Sequence, residues 1–384
     1  MKRTVRLGAF AFAFAFAFAF AFALAFVAGP ASAQGMTIAG RLDLGVQRID
    51  NGATTQNRLD SGTYTASRLI VRGTEDLGGG LGALFYLEHR FNADKGEPQS
   101  AKFWNAGSYV GLSSSSFGTV TLGRQYVPIF WPFLWGDDTG NAKLHGYSAV
   151  QSVQRSNFAR VSAAASPITT AGGLDSISSG IYALNISSAF EDNLVVYKSP
   201  SFSNISASLA LGAPEGYPAG NGKVVGGNVE YRTPANYLGF GFNSKIGRVP
   251  VGGTGESKLT ESVLSGLYSV TKEFKTWGNL HQWNFDSAGA TLKGRDYMLG
   301  VSYWFPVSMV WFNYANKNVD NCAQCDSKGF GVGYHYLLSK RTELYAAVGN
   351  VQNELNSANN LNGFSPAAPG QTMRGLAAGI YHQF

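Results

Sequence analysis

The chain has 384 residues, and 30 lysines and arginines against 24 aspartates and glutamates give a formal net charge of +6. The basic residues are scattered among carboxylates rather than clustered, which argues against a nucleic-acid partner. Beyond the N-terminal segment there is no run of about 20 apolar residues, which excludes a bundle of membrane-spanning helices. Aromatic residues make up 13%, charged residues only 14%, and glycines number 48. This composition is typical of a transmembrane β-barrel, whose strands meet lipid on one face and water on the other.

The first residues have the organisation of a secretory signal peptide. A basic N-terminal region precedes an apolar run of alternating Ala and Phe at 7–28, and residues 31–33 (ASA) suit cleavage after Ala33. The run is long enough for a transmembrane helix, an alternative that the flanking signals disfavour. Cleavage would remove three basic and no acidic residues, leaving 27 against 24, or +3. We therefore predict a signal peptide at 1–33 and one β-barrel domain at 34–384.

From residue 36 onward, apolar and polar residues alternate with a period of two, which indicates strands with one apolar face. In 36–47 the aliphatic residues share one face, and polar residues such as Arg41 share the other. Similar alternation recurs at 68–72, 238–245 and 329–336. The face opposite the aromatic residues carries mainly Gly, Ser, Asn and isolated charges, which suits a water-filled lumen better than a soluble β-sandwich.

Two kinds of connection separate these segments. Short turns fall near 75–81, 113–118, 199–204, 233–236, 271–273, 306–308 and 339–340. Long polar loops occupy approximately 50–64, 93–102, 127–191, 213–223, 248–260, 285–294, 316–327 and 351–371. Eight loops and seven turns define 16 antiparallel strands with both termini on the short-turn side. Bacterial outer-membrane barrels have this arrangement, with short periplasmic turns and longer extracellular loops.

The C-terminal segment has a pattern of its own. Every second residue from Leu376 to Phe384 lies on one face, and the chain stops at an aromatic residue. This ending resembles the signal that the barrel-assembly machinery recognises, so we expect Phe384 to act as that signal and the machinery to be a partner during insertion. Together with the signal peptide and the 16 strand segments, this C-terminal pattern predicts a location in the Gram-negative outer membrane.

Further stretches along the mature chain share a family pattern. They are 67–69 (SRL), 72–80 (RGTEDLGGG), 109–112 (YVGL), 117–125 (FGTVTLGRQ), Asp192-Asn193, Tyr197, Ser199-Pro200, Phe202 and 381–384 (YHQF). They resemble the general porins of betaproteobacteria, of the Neisseria and Burkholderia type. The resemblance implies a homotrimer in outer-membrane lipid and lipopolysaccharide, a passive channel for ions and small hydrophilic solutes without a cofactor, and a third loop folded into the pore. It also implies that acidic residues on this loop face a basic cluster on the opposite wall.

Five arginines are candidates for the basic side of that constriction. Arg41, Arg68 and Arg90 lie on three successive strands, share the polar parity and sit at comparable distances from the short-turn end, so we expect one cluster near mid-height. On the lipid face at the midplane each charge would cost about 2–4 kcal/mol, which favours the lumen. Arg72 shares the parity but lies closer to the periplasm. Arg124 has the parity of apolar neighbours, so it requires a bulge or a strand end.

The third loop departs from the family pattern in its length and in an aromatic segment, 128–138 (PIFWPFLWGDD). Asp137 and Asp138 at its end are the candidates for the acidic side of the constriction. The segment has two interpretations: it packs the loop against the barrel wall, or it forms a slide for aromatic or sugar-like solutes. Three wall arginines outnumber the two acids and the mature chain is positive, so we expect mild anion selectivity.

Other chemistry is less well supported. Cys322 and Cys325 have redox-motif spacing but lie in a predicted loop, so an exposed disulfide is favoured. A zinc site would need four ligands, and nearby residues do not supply them. Residues 78–80 (GGG) lack the Lys and Ser or Thr of a phosphate-binding loop and read as a turn.

An enzyme is disfavoured, since no motif links any of the five histidines to a nucleophile. A solute-selective barrel, or a surface receptor or adhesin that uses the long loops, remains the alternative function.

Overall fold

The computed structural model describes residues 32–139, 190–214, 222–248, 256–287, 290–362 and 364–384. Its strands are β1 (Ser32–Asp50), β2 (Thr55–Ser61), β3 (Arg68–Gly78), β4 (Leu81–Asn92), β5 (Glu97–Pro98), β6 (Gly107–Ser114), β7 (Gly118–Tyr126), β8 (Phe190–Lys198), β9 (Ile205–Gly212), β10 (Val224–Arg232), β11 (Tyr237–Arg248), β12 (Glu256–Ser269), β13 (Phe274–Ser287), β14 (Ala290–Trp304), β15 (Ser308–Val319), β16 (Ser327–Leu337), β17 (Thr342–Asn353) and β18 (Met373–Gln383). A short helix, α1 (Phe130–Trp135), follows β7. Within the ranges given, no helix is long and apolar enough to cross a membrane. The predicted signal peptide, apart from its last two residues, and most of the third loop lie outside the described residues.

The long strands form one antiparallel sheet that closes on itself where β1 pairs with β18. One half of β1 pairs with β2 and the other half with β3, so β2 and β3 together complete a single span. β5 is a two-residue strand that pairs with the end of β4. The 18 strands therefore make 16 spans, which confirms the predicted 16-stranded transmembrane barrel.

Several strands run farther than the alternation of apolar residues indicates. Residues 55–61, predicted as part of the first long loop, form β2, and the predicted loop 285–294 reduces to 288–289 between β13 and β14. Exposed outward side chains in these extensions are mostly polar, for example Asn57 and Lys293. Beyond the hydrocarbon layer the backbone ladder continues while the outward side chains meet water, so hydropathy ends the strands too early.

The outward side chains form an apolar belt around the barrel. Along β16, Phe330, Val332, Tyr334 and Tyr336 are 39–42% exposed and alternate with buried residues. Leu299 on β14 is 63% exposed. Apolar area of this extent is stable only when hydrocarbon covers it, so the belt is the lipid-facing surface.

Large aromatic side chains also occupy the inward face, contrary to the expectation that this face carries mainly small polar residues. Trp277 and Trp311 are almost fully buried, and each lies over a glycine of the neighbouring strand, Gly300 and Gly333 respectively. A Cβ atom at Gly300 would lie 2.3 Å from the Trp277 ring. The glycines therefore leave room for the indoles, a relation across strands that the alternation within one strand does not reveal.

Candidate functional site

Arg41, Arg68 and Arg90 lie side by side on the inner wall. Arg41 of β1 is in register with Arg68 of β3, and Arg68 is in turn in register with Arg90 of β4. Residues directly opposite each other on adjacent strands point to the same face, with Cβ atoms about 5 Å apart. The structure thus brings the three predicted arginines together, and we call them the arginine row.

The arginine row is paired with one carboxylate that the sequence analysis did not identify. Glu88 is 1% exposed, and its Oε1 forms ion pairs with the guanidinium groups of Arg68 and Arg90, both at 2.9 Å, of which the contact with Arg90 is also a hydrogen bond. Arg68 also donates to the Thr65 hydroxyl at 3.2 Å and to the Ala66 carbonyl at 3.0 Å. Three arginines and one glutamate carry a net charge of +2. The signal that could have found Glu88 is its place two residues before Arg90, on the same strand face.

Arg72 lies on the same inner face but nearer the periplasmic end, where the sequence analysis places it. It is in register with Tyr86 of β4 and lies four residues from Arg68, or about 13 Å along the strand. Tyr86 stacks on Tyr109 with ring centroids 5.2 Å apart, and its hydroxyl donates to Glu88 at 2.6 Å. Arg72 therefore belongs to the periplasmic part of the pore and lies outside the arginine row.

Arg124 lies at an irregularity of β7. The register of β7 with β8 shifts between Gly123 and Gln125, and Gly123 has a φ of +132°, a conformation that favours glycine. Arg124 donates to the Asp192 carboxylate at 2.7 Å and to the Asn105 carbonyl at 2.8 Å. The irregularity that its apolar parity required is therefore present, and the nearby carboxylate offsets its charge.

The first part of the third loop packs on the inner wall across from the arginine row. The Asn228 amide donates to the Pro128 carbonyl at 3.1 Å, and a Cβ atom at Gly241 would lie 3.0 Å from the Cα of Ile129. α1 contacts β11 and β12. β12 is the tenth of 16 spans and Arg68 lies on the second, so the two are diametrically opposed.

Asp138 is bonded to the wall of β13 and β14 instead of facing the arginine row, which corrects the expectation from the sequence for this residue. Asp137 accepts from the backbone and the hydroxyl of Thr139, and its place on the acidic side of the constriction stays a prediction. One carboxylate oxygen of Asp138 accepts from Lys275 Nζ at 3.0 Å, and the other accepts from the Ser302 hydroxyl at 2.6 Å and the Trp304 indole at 2.8 Å. Both aspartates are buried. The bonds of Asp138 fix this part of the loop to β13 and β14 near the short-turn end.

The aromatic segment of the third loop divides between two environments. Ile129 and Phe133 are buried against the inner wall, where the Phe133 ring lies 5.1 Å from that of His281. Phe130 and Trp131, in contrast, are half-buried. The packing interpretation therefore describes one side of α1, and the other side stays accessible.

Residues between β2 and β3 fold inward, a feature that the sequence analysis missed. One oxygen of the Asp43 carboxylate accepts from the backbone N–H groups of Tyr64 and Thr65, at 2.6 and 2.7 Å. Tyr64 is fully buried, with its ring 4.9 Å from that of Tyr345. β3 begins at Arg68 directly after this fold, so the fold helps to position the arginine row. The sequence places Asp43 on the polar face but gives no sign of its backbone partners.

Charged groups on the wall beneath α1 are paired with each other. Lys245 donates to Glu191 at 2.5 Å, and the His281 ring lies between the carboxylates of Asp296 and Glu261, at 2.9 and 3.3 Å. All are almost completely buried. Among the described side chains, no group of three or more His, Cys, Asp and Glu could hold a metal ion. The arginine row, with its net charge, therefore differs from this compensated wall.

Cys322 and Cys325 are joined by a disulfide in the connection between β15 and β16. Their Cα atoms are 5.6 Å apart, and Cys325 is buried. The bond lies beyond the ends of the strands, at the end of the barrel opposite the short turns.

Phe384 completes the closure of the barrel. Its carbonyl accepts from Gly40 N–H at 3.0 Å, and its own N–H donates to the Gly40 carbonyl at 3.1 Å. The last residue is therefore bonded to the first strand, and its role as an assembly signal stays a prediction.

A closed 16-span barrel with an apolar belt and a positively charged row on its inner wall defines a water-filled pore of the outer membrane, the class of the porins. Residues 19–356 match the family of Gram-negative porins. The chain belongs to this family, and it is an outer-membrane channel for passive diffusion.

Individual relatives agree with this assignment. Outer membrane porin protein 32 of Delftia acidovorans is 30% identical over 373 residues, which cover 93% of this chain and 96% of the relative. The solved structure of an anion-selective porin from Comamonas acidovorans has a TM-score of 0.74 at 27% identity and covers 92% of this chain and 100% of its own. OmpT of Vibrio cholerae shares the fold at 14% identity, with a TM-score of 0.62 and coverage of 91% and 97%. The resemblance to betaproteobacterial porins is confirmed.

Proposed function

We propose that this porin is a general diffusion pore for ions and small hydrophilic solutes with a preference for anions. The observation that carries the proposal is the arginine row, in which Glu88 is the only carboxylate bonded to Arg68 and Arg90 among the described residues. A cluster with a net charge in an aqueous path raises the local concentration of counter-ions. The anion selectivity stated for the Comamonas acidovorans porin supports the same direction.

The mechanism requires no chemical step and no cofactor. Anions entering the barrel pass the arginine row on one wall and the α1 segment on the other. Fixed guanidinium groups lower the energy of an anion and raise that of a cation at this height. Because Arg68 and Arg90 are held by Glu88, and Arg68 also by Thr65 and the Ala66 carbonyl, they keep their positions as solutes pass.

The proposal also covers the export of the chain, its assembly and its membrane surroundings. We infer that residues 1–33 are removed on export, that the barrel forms a homotrimer and that the assembly machinery reads Phe384. Exposed cations on the outer wall above the apolar belt, such as Lys293 and Arg295, suit the phosphates of lipopolysaccharide. Intact mass of the protein from outer membranes and its oligomeric state in mild detergent test the first two points.

Liposome swelling tests the pore itself. Vesicles containing the protein should swell in small sugars, and they should swell faster in a small organic anion than in a cation of equal size. Vesicles that stay impermeable to all three solutes would overturn the proposal, and faster entry of the cation would overturn the selectivity. Protein-free vesicles provide the control.

A further inference from the structure

Half-buried aromatic rings form a continuous series inside the barrel. The Phe190 ring lies 4.1 Å from Tyr126, and Tyr126 lies 4.2 Å from Phe130 and 5.0 Å from Trp131, between ring centroids. Trp131 is stacked on Trp135 at 6.2 Å with an interplanar angle of 13°. We call these five rings the aromatic track.

An arginine stands at each end of the aromatic track. Arg90 of the arginine row donates to the Tyr126 hydroxyl at 2.9 Å, and its guanidinium lies 4.8 Å from the centroid of Phe190. At the other end the Arg232 guanidinium lies 3.5 Å from the ring of Trp135. Arg232 is the last residue of β10, next to the short turn at 233–236. The track therefore runs from the arginine row toward the short-turn mouth.

The aromatic track is separate from the residues that hold the loop in place. Ile129 and Phe133 bury the wall-facing side of α1, and Asp138 fixes its end to the barrel. Trp131 and Trp135 remain partly accessible. Rings that served only to pack the loop would be covered as Phe133 is.

We infer that the aromatic track binds small aromatic carboxylates and guides them through the pore. Such a solute combines a ring, which stacks on Trp131 or Phe130, with a carboxylate, which pairs with Arg90 and then with Arg232. Arginine binds carboxylates through two parallel hydrogen bonds, and aromatic rings favour offset stacking. A neutral aromatic solute lacks the first contact and an aliphatic acid lacks the second. The inference rests on the proposed anion-permeable pore and narrows its solutes.

Block of chloride current in a planar bilayer tests the inference. Benzoate and cyclohexanecarboxylate have the same charge and similar size, but only benzoate has an aromatic ring. Benzoate should interrupt the current at a concentration about threefold to tenfold lower. Equal potency of the two acids in a pore that carries chloride would overturn the inference and leave the pore function standing. A protein that carries no chloride would overturn both.

Two variants locate the effect. Trp131→Leu should reduce the difference between the two acids, measured against the chloride current of the same channel, and Arg232→Gln should shorten the benzoate blocks. Trp104→Leu is the matched control, because Trp104 is a half-buried tryptophan outside the track. Full benzoate selectivity in both track variants would place the binding elsewhere and overturn the inference.

Discussion

Replacement of Arg41 by glutamine should shift ion selectivity toward cations with little effect on the fold. Arg41 lies in register with Arg68 in the arginine row, yet it forms no ion pair within the described part of the chain. The substitution therefore removes a positive charge from the pore without leaving a buried carboxylate unpaired. In Arg68 or Arg90, the same change would also break the ion pair with Glu88.

The size of the effect follows from Coulomb's law. An ion passing about 6 Å from the Arg41 guanidinium interacts with it by about 0.7 kcal/mol in water. At 0.1 M salt the Debye length of about 10 Å reduces this to about 0.4 kcal/mol. Because the charge favours anions and opposes cations by the same energy, its loss should lower the anion-to-cation permeability ratio about fourfold.

Reversal potentials of single channels under a potassium chloride gradient measure this ratio. Arg48→Gln is the matched control, because Arg48 lies on the same strand but is exposed on the outward face. The control should keep the selectivity of the unmodified protein. If Arg41→Gln and Arg48→Gln behave alike, Arg41 does not act on passing ions and the reasoning is refuted.

Glu88→Gln should increase the preference for anions. Because it leaves the buried arginines without a carboxylate, it should also lower the free energy of unfolding by about 3–5 kcal/mol. Unchanged ion selectivity would mean that the Glu88 charge does not act on ions in the pore. Leu299→Arg on the lipid face should lower the free energy of unfolding from lipid vesicles by about 2–4 kcal/mol. Thr74→Arg, on the inner wall, should leave the denaturation midpoint nearly unchanged, and equal losses would contradict the assigned faces. Joint replacement of Cys322 and Cys325 by serine should leave the conductance unchanged. Because the disulfide stabilises its loop by about 2 kcal/mol, its loss should speed proteolysis of the loop. An altered conductance would mean that this loop reaches the pore.

The order of short turns and long loops was sufficient to predict the number of spans, and the alternation of apolar residues predicted their lipid face. The alternation failed where the strands leave the hydrocarbon layer, as at 55–61, because polar residues there face water on both sides of a regular strand. It also missed the pairing of Trp277 with Gly300, since that relation depends on the register between two strands.

The candidate site could be predicted in part for the same reasons. Arg41, Arg68 and Arg90 were found from parity and from their distance to the short turns, both of which are local properties. Glu88 was missed although it shares that parity, because its importance comes from contacts across strands. Asp138 was assigned to the wrong partners, because periodicity contains no information about the path of a long loop.

The reversal potential of the unmodified protein in a planar bilayer, under a tenfold potassium chloride gradient, tests the central claim most directly. Because Glu88 neutralises only one of the three charges of the arginine row, chloride should cross faster than potassium, and the dilute side should become negative relative to the concentrated side. A dilute side that becomes positive would contradict the account, as would the absence of any ion current.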